Sequence, residues 1–244
     1  MLKLRLVFVV FIFIPQYISA ETFQSKQDNF VITIPDSWVQ IPSDTLEELV
    51  KETNEMTGGK GQGLNFNYAY QVDRKGLSVP GRFKNPELDK WMLYPYIVAQ
   101  VFHQRISEDA IYKYINNKSF KDLVKKAEKM ALEGSEIISS LASDKPFYDH
   151  QNKIIWIKAT IKKNAEGLKK LDKKSSVTDL VGLVLTNTGT IGFHCYYESQ
   201  QENIYMDACS NIIRSVRSPG NEYKTSLTWE KLFKKVLPKF LFEN

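Results

Sequence analysis

The sequence predicts an α+β fold in which an antiparallel sheet is flanked by helices. Several segments alternate apolar and polar residues with a period of two, which is typical of half-buried strands. Other segments repeat apolar residues every three or four positions, which is typical of helices that pack on a core. Because neighbouring strands follow one another and helices cluster between them, we expect the strands to pair antiparallel and the helices to cover the sheet.

The chain opens with the features of a cleavable secretory signal peptide over residues 1–20. A short basic stretch precedes an apolar run from Leu6 to Ile14, and a helix breaker and the small pair Ser19-Ala20 follow. The run is shorter than the roughly 20 apolar residues that a membrane-spanning helix needs, which disfavours the alternative of an uncleaved anchor. We therefore expect a mature protein that begins at about Glu21 and is periplasmic or secreted.

The charge of the mature chain is small. Cleavage removes Lys3 and Arg5 and no acidic residue, so Lys+Arg falls from 33 to 31 against 28 Asp+Glu, a net charge of about +3. Such a balance does not predict nucleic-acid binding. A hydrophobic content of 43% is enough for a sizeable core. We expect one domain over residues 21–221, followed by a tail over residues 222–244.

The first elements are a strand, a tight turn, a second short strand and a helix. Residues 30–34 alternate like a strand, and residues 35–37 have turn chemistry before a second short strand. Asp44 and Glu47 form a capping box for a helix that runs to about Met56.

The middle of the chain contains two strands and a long helical stretch. Residues 64–72 alternate strictly, and residues 94–102 are rich in β-branched and aromatic side chains. Residues 107–142 have helical periodicity, interrupted at Asn116-Asn117. This stretch predicts two helical pieces.

The last third returns to strands and ends in a helix. Residues 154–162 alternate, which predicts one core face and one solvated face. Residues 180–185 and 190–198 flank a glycine-containing turn and predict a hairpin. The following helix carries one apolar stripe, made of Ile204, Ala208, Ile212 and Val216.

Two segments carry a family resemblance. The opening reads Phe30-Val31-Ile32-Thr33-Ile34-Pro35-Asp36-Ser37-Trp38, and the closing helix reads Asn211-Ile212-Ile213-Arg214-Ser215-Val216. Over roughly residues 30–217 the chain resembles the PsbP-like proteins, relatives of the extrinsic subunit of the photosystem II oxygen-evolving complex. The resemblance implies an α/β/α sandwich around an antiparallel sheet, and binding or accessory roles without catalysis. The helical stretch 107–142 and the tail after residue 221 look like additions to that pattern.

The two cysteines, Cys195 and Cys209, are an even pair in an exported chain, which favours a disulfide. A strand rises about 3.3 Å per residue and a helix about 1.5 Å per residue. The two cysteines should therefore lie at similar distances from the turn that joins the strand to the helix. Helix and sheet backbones commonly lie near 10 Å apart, however, whereas a disulfide needs Cα atoms within roughly 7 Å. Two buried free thiols therefore remain the alternative.

The sequence contains no pattern that predicts catalysis or a cofactor. His194 adjoins Cys195, but neighbours on a strand point to opposite faces, so the histidine cannot activate that thiol. The three histidines lack zinc-site spacing. The glycine-rich residues 57–63 follow a helix and open a strand, the reverse of a phosphate loop.

Tyrosines are numerous, and two interpretations of them remain open. If they cluster on one exposed face they mark a binding patch for a peptide or a glycan, whereas at strand spacing they can simply pack the sheet. The residues concerned are Tyr94, Tyr96, Tyr112, Tyr114, Tyr148, Tyr196 and Tyr197.

The tail predicts an amphipathic helix over residues 226–242, with a kink or a new segment at Pro238. Two outcomes are open for this helix. Its apolar face packs on the domain of the same chain, or the helix binds an anionic membrane surface or the groove of a partner protein. The apolar residues are Trp229, Leu232, Phe233, Val236, Leu237, Phe240 and Leu241, and the basic residues on the other side are Lys231, Lys234, Lys235 and Lys239.

Together these features favour an exported, non-enzymatic binding or accessory protein with a protein, peptide or glycan ligand. One alternative is a peripheral membrane-surface factor that uses the C-terminal helix. Another is an enzyme whose site a single sequence does not reveal.

Overall fold

A computed structural model describes residues 20–56, 66–103, 138–165, 176–186 and 189–219, together with six helical residues between 111 and 132. The α-helices that are described along their whole length are α1 (Ser43–Met56) and α2 (Glu202–Arg214). The strands are β1 (Ala20–Ser25), β2 (Phe30–Pro35), β3 (Trp38–Gln40), β4 (Tyr68–Val72), β5 (Tyr96–Phe102), β6 (Ile138–Ser143), β7 (Phe147–Asp149), β8 (Ile154–Lys163), β9 (Ser176–Leu185) and β10 (Thr190–Glu198).

Eight strands form one antiparallel sheet, and two form a separate ribbon. The sheet order is β3-β4-β5-β10-β9-β8-β6, and β7 also pairs with β8. Strands β1 and β2 pair only with each other among the named strands. The predicted α+β class, with an antiparallel sheet flanked by helices, is confirmed.

One face of the sheet is covered by α2 and the β1-β2 ribbon. Helix α2 lies close to the sheet at Gly182, where an added Cβ would lie 2.7 Å from a methyl group of Ile213. Glycine is therefore required there by packing. The core between these layers includes Phe30, Ile32, Tyr70, Phe193, Cys195, Cys209, Ile212 and Ile213.

The other face is covered by α1 and by the loop that joins β4 to β5. Leu46 and Leu49 of α1 pack with Ala69 and Val98 of the sheet. The carboxylate of Glu52 accepts hydrogen bonds from the backbone N–H groups of residues 84 and 85, at 2.6 and 3.1 Å. These bonds fasten the loop to α1, so that this part of the sheet has a layer on each side.

Two of the predicted elements differ from the structure because tertiary contacts override local periodicity. The helical stretch does not reach residue 142, because residues 138–143 form β6 and pair along the edge of β8. Strand β8 was expected to have one solvated face, the face that carries Trp156. That face is not simply solvated, because Trp156 is buried next to α2.

Two helix details also differ. The stripe of α2 was predicted to include Ile204, but Ile204 is exposed, since the helix directs Tyr205, Cys209 and Ile212 towards the sheet. The capping box does not form. Helix α1 begins at Ser43, so Asp44 lies within the first turn and accepts a hydrogen bond from the N–H of residue 45. Within the described part of the chain, the helices lack the length and apolar character that crossing a membrane requires.

Candidate functional site

Three predicted tyrosines meet at one end of the sheet, where β4, β8 and β10 end and β5 and β9 begin. The antiparallel register pairs Tyr196 of β10 with Tyr96 of β5 on one side and with Asp179 of β9 on the other. Tyr94 lies just before β5, and Lys163 is the last residue of β8. We call the region around these residues the tyrosine end.

The aromatic rings of the tyrosine end form a stacked row. Ring centroids lie 5.4 Å apart for Tyr94 and Tyr96, 5.1 Å for Tyr96 and Tyr196, and 5.7 Å for Tyr196 and His194. The first and last of these pairs are nearly parallel, with interplanar angles of 16° and 5°. The three tyrosines are half-buried. Because the rings face one another, mainly ring edges and hydroxyl groups are left to meet a ligand.

A buried polar pair adjoins the row of rings. His194 Nδ1 lies 2.7 Å from Asp179 Oδ2, and both residues are buried. Burial raises the pKa of Tyr196 well above its usual range, and the negative charge of Asp179 raises it further. Tyr196 is therefore a neutral phenol at physiological pH, able both to donate and to accept a hydrogen bond.

The row ends beside a positive charge. Lys163 Nζ lies 3.3 Å from the Tyr94 hydroxyl and 5.4 Å from the centroid of the Tyr94 ring. The second distance is within the range of a cation–π interaction. Lys163 thus helps to hold the outermost ring of the row in place.

Exposed apolar side chains lie at the same end of the sheet. Leu77 (54% exposed) and Val79 belong to the loop after β4, and Ile204 (59% exposed) lies in the first turn of α2. Arg74 Nη2 donates a hydrogen bond to the Tyr205 hydroxyl at 3.3 Å, which joins that loop to α2. Ile204 lies on the α2 side of the sheet, whereas Tyr96 and Tyr196 pack on the α1 side, so these features share one end of the sheet and not one face.

The remaining predicted tyrosines do not join the row. Tyr197 faces the α2 side and is fully buried, and Tyr148 of β7 packs against His150, with ring centroids 4.5 Å apart. Tyr112 and Tyr114 lie outside the described residues. Sequence reasoning missed Leu77, Val79, Asp179 and Lys163. Only the predicted β9-β10 hairpin register could have indicated Asp179, since it places that residue opposite Tyr196.

The cysteines lie at disulfide distance. The Cα atoms of Cys195 in β10 and Cys209 in α2 are 6.1 Å apart, within the roughly 7 Å that a disulfide needs. Helix α2 approaches the sheet more closely than a typical helix does. The usual separation between helix and sheet backbones therefore does not prevent a disulfide here. His194 lies on the opposite face of β10, where it meets Asp179, as the alternation of the strand predicted.

At the opposite end of the sheet, a serine, an aspartate and a histidine lie together, but not in the order of a catalytic triad. The carboxylate of Asp28 accepts hydrogen bonds from Tyr68 at 2.5 Å and from Ser25 at 3.4 Å. His103 Nε2 lies 3.8 Å from the other oxygen of Asp28. The carboxylate therefore stands between the serine and the histidine, whereas a triad needs the histidine in the middle.

Some of the predicted features fall outside the described chain. The tail residues Trp229, Lys231, Leu232, Phe233, Lys234, Lys235, Val236 and Phe240 lie there, as do most of residues 107–137. Within the described residues, no group of three or more histidine, cysteine, aspartate or glutamate side chains could hold a metal ion.

Comparison with known proteins finds likeness in fold alone. No family model and no curated protein sequence matches the chain. The solution structure of cyanobacterial PsbP (CyanoP) from Synechocystis sp. PCC 6803 is similar over 82% of this chain and 93% of its own, with 6% identity and a TM-score of 0.44. The Ran-binding protein Mog1p of Saccharomyces cerevisiae is similar over 82% of this chain and 96% of its own, with 8% identity and a TM-score of 0.39. The PsbP-like resemblance over most of the chain is thus found as a weak likeness in fold, and it assigns no function.

Proposed function

We propose that this chain is an exported, non-enzymatic binding or accessory protein that binds a protein or peptide partner at the tyrosine end. One observation carries the proposal: Leu77, Val79 and Ile204 expose apolar surface at the end of the sheet that also carries the stacked tyrosines. Tyrosines are enriched at protein interfaces, and exposed apolar side chains can serve as anchors for a partner.

The geometry of the row favours a polypeptide over a glycan. Sugars pack on exposed flat faces of aromatic rings, whereas the rings of Tyr94, Tyr96, Tyr196 and His194 stack on one another. Ring edges and a neutral phenol suit backbone N–H and C=O groups, which need both donors and acceptors.

Two features fit export. Cleavage after Ala20 would remove one register pair, Ala20 with Pro35, and keep the pairs from Glu21 to Ser25, so it is compatible with the β1-β2 ribbon. The joined cysteines also suit an oxidising compartment outside the cytoplasm.

The test first uses the mature protein to capture its partner from the native extracytoplasmic compartment. The affinity of variants of the mature protein for that captured partner is then measured in a binding assay. Leu77→Asp and Ile204→Asp each place a charge on the proposed surface, and we expect each to weaken binding about tenfold, which corresponds to about 1.4 kcal/mol. Asn211→Asp adds the same charge to an exposed position on the far half of α2 and serves as the control.

Equal binding by all three variants, each with an unchanged melting temperature, would contradict a partner surface at the tyrosine end. Retention of a glycan by the wild type and its loss in Tyr96→Ala would instead favour the glycan ligand. Turnover of a substrate at the Asp28 cluster would favour the enzyme alternative.

A further inference from the structure

A second exposed apolar surface lies on the other flank of α2, beside the hairpin formed by β7 and β8. Polar contacts tie α2 to this hairpin near both of its ends. Glu202 at the start of α2 lies 3.0 Å from Lys158 Nζ, and Arg214 at its end lies 3.7 Å from the carboxylate of Asp149. The guanidinium of Arg214 also lies 5.5 Å from the ring centroid of Trp156.

Between these ties the surface is apolar. Phe147 is 55% exposed and pairs across the strands with Trp156, so it lies on the α2 side of the sheet. Met206 comes one helical turn after Glu202, which directs it to the same flank, and it too is exposed. We call the surface that carries the exposed Phe147 and Met206, with the buried Trp156 beneath it, the α2 groove.

We propose that the C-terminal segment 226–242 of the same chain docks in the α2 groove as an amphipathic helix. This inference does not depend on the partner proposed for the tyrosine end. The apolar residues of that segment, Trp229, Leu232, Phe233, Val236 and Phe240, recur at helical spacing and need a surface to cover them.

The position at which the described chain ends fits this docking. The Pro219 carbonyl accepts a hydrogen bond from Asn29 Nδ2 at 2.8 Å, which holds the chain at the turn between β1 and β2, five residues beyond the end of α2. Residues 220–225 can then span about 20 Å. A helix over 226–242 is about 25 Å long, and α2, with 13 residues, is about 20 Å long. The segment can therefore turn back and run antiparallel along the whole of α2.

The charges of the groove also fit. Asp144 and Glu202 share one cation, Lys158, whose Nζ lies 3.1 and 3.0 Å from the two carboxylates. Within this cluster the two carboxylates outnumber the ammonium group by one. Lys231, Lys234, Lys235 and Lys239 lie largely opposite the apolar stripe, so docking of that stripe leaves them in solvent, and a lysine at the border of the stripe can reach a carboxylate of this cluster with its long side chain.

A double-mutant cycle on the mature chain tests the docking. The variants are Phe147→Asp, deletion of residues 226–244, and both changes together. We expect each single change to lower the melting temperature by about 5 °C, and we expect the double variant to fall no further than the deletion alone. Leu77 is equally exposed, at 54%, but lies away from the groove, so Leu77→Asp should not alter the effect of the deletion.

Phe233→Asp in the full mature chain provides a second variant that keeps the tail. Hydrogen exchange at the backbone of α2 should become faster in this variant and in the deletion. The proposal would be overturned if the falls in melting temperature caused by Phe147→Asp and by the deletion were additive in the double variant. It would also be overturned if the deletion left the melting temperature unchanged. Loss of binding to phosphatidylglycerol-containing vesicles on deletion, with unchanged stability, would assign the tail to a membrane surface instead.

Discussion

Tyr68 joins the first turn of the domain to the sheet through a small network of oxygen atoms. Its hydroxyl lies 2.7 Å from Ser25 Oγ and donates to the carboxylate of Asp28. Asp28 lies in the turn between β1 and β2, so the network fastens the ribbon to β4. Burial raises the pKa of Tyr68 to about 12, and the hydrogen bond to Asp28 also raises it.

This shift predicts a loss of stability at alkaline pH. An unfolded tyrosine loses its proton near pH 10, whereas folded Tyr68 keeps it until about pH 12. Between these values the folded state binds more protons, so the free energy of unfolding falls as pH rises. We expect Tyr68→Phe to make this fall shallower in urea unfolding measured from pH 9 to pH 12.

Tyr205→Phe removes another half-buried phenol, from the other end of the sheet, and serves as the control for Tyr68→Phe. Burial also raises the pKa values of Tyr70 and Tyr197, so part of the alkaline dependence should persist in the Tyr68 variant. A pH dependence of Tyr68→Phe as steep as that of the wild type would show that the Asp28 network does not govern this residue.

At the scale of elements, the closing hairpin and helix form one unit. Strand β10 leads into α2, and the pair Cys195–Cys209 connects them within the core that also holds Ile212 and Ile213. Both sites proposed above use α2, because Ile204 lies at the tyrosine end and Met206 lines the α2 groove. The position of α2 on the sheet therefore affects both surfaces.

We expect Cys195 and Cys209 to be oxidised to each other in the exported protein. The pair is separated by 14 residues, and a bridge across a loop of that size contributes roughly 3 kcal/mol by constraining the unfolded chain. Urea unfolding with and without reductant measures this contribution. The double variant Cys195→Ala, Cys209→Ala should be less stable and insensitive to reductant. Alkylation of both thiols in the non-reduced protein would show that they are free.

At the scale of the whole molecule, the N-terminus of the domain is part of the fold. Strand β1 pairs along its length with β2, and Phe23 of β1 packs against Tyr68 and Tyr70. A leader that ends at Ala20 therefore leaves a mature chain whose first residues are already paired. Removal of a few residues more would begin to dismantle the ribbon.

We expect the mature protein to begin at Glu21 or within a residue or two of it. Intact-mass and N-terminal peptide mass spectrometry of the exported protein provide the measurement. Replacement of Ala20 by a bulky residue such as Tyr should slow processing, because signal peptidase requires small residues there. An exported protein that retains residues 1–20 would contradict cleavage and favour an anchor.

The sequence by itself was sufficient for the types and order of most described elements. The two strands at residues 30–40, which pair with different partners, and α1, β8, the β9-β10 hairpin and α2 follow from periodicity and turn chemistry, which are local properties of the chain. The cysteine pair could be predicted as a possibility, because redox compartment and strand alternation already limit what each thiol can meet. Because helix and sheet backbones are usually too far apart for a disulfide, free thiols remained the alternative.

Tertiary structure decided which surfaces these elements cover or leave open. Residues 138–143 became an edge strand because β8 offered unpaired backbone groups, and Ile204 was left exposed because α2 turned Tyr205 and Cys209 to the sheet. The tyrosine row exists because the register sets Tyr196 between Tyr96 and Asp179. Periodicity reports the spacing of residues along one segment, whereas such contacts join segments far apart in sequence, so only the packed chain specifies them.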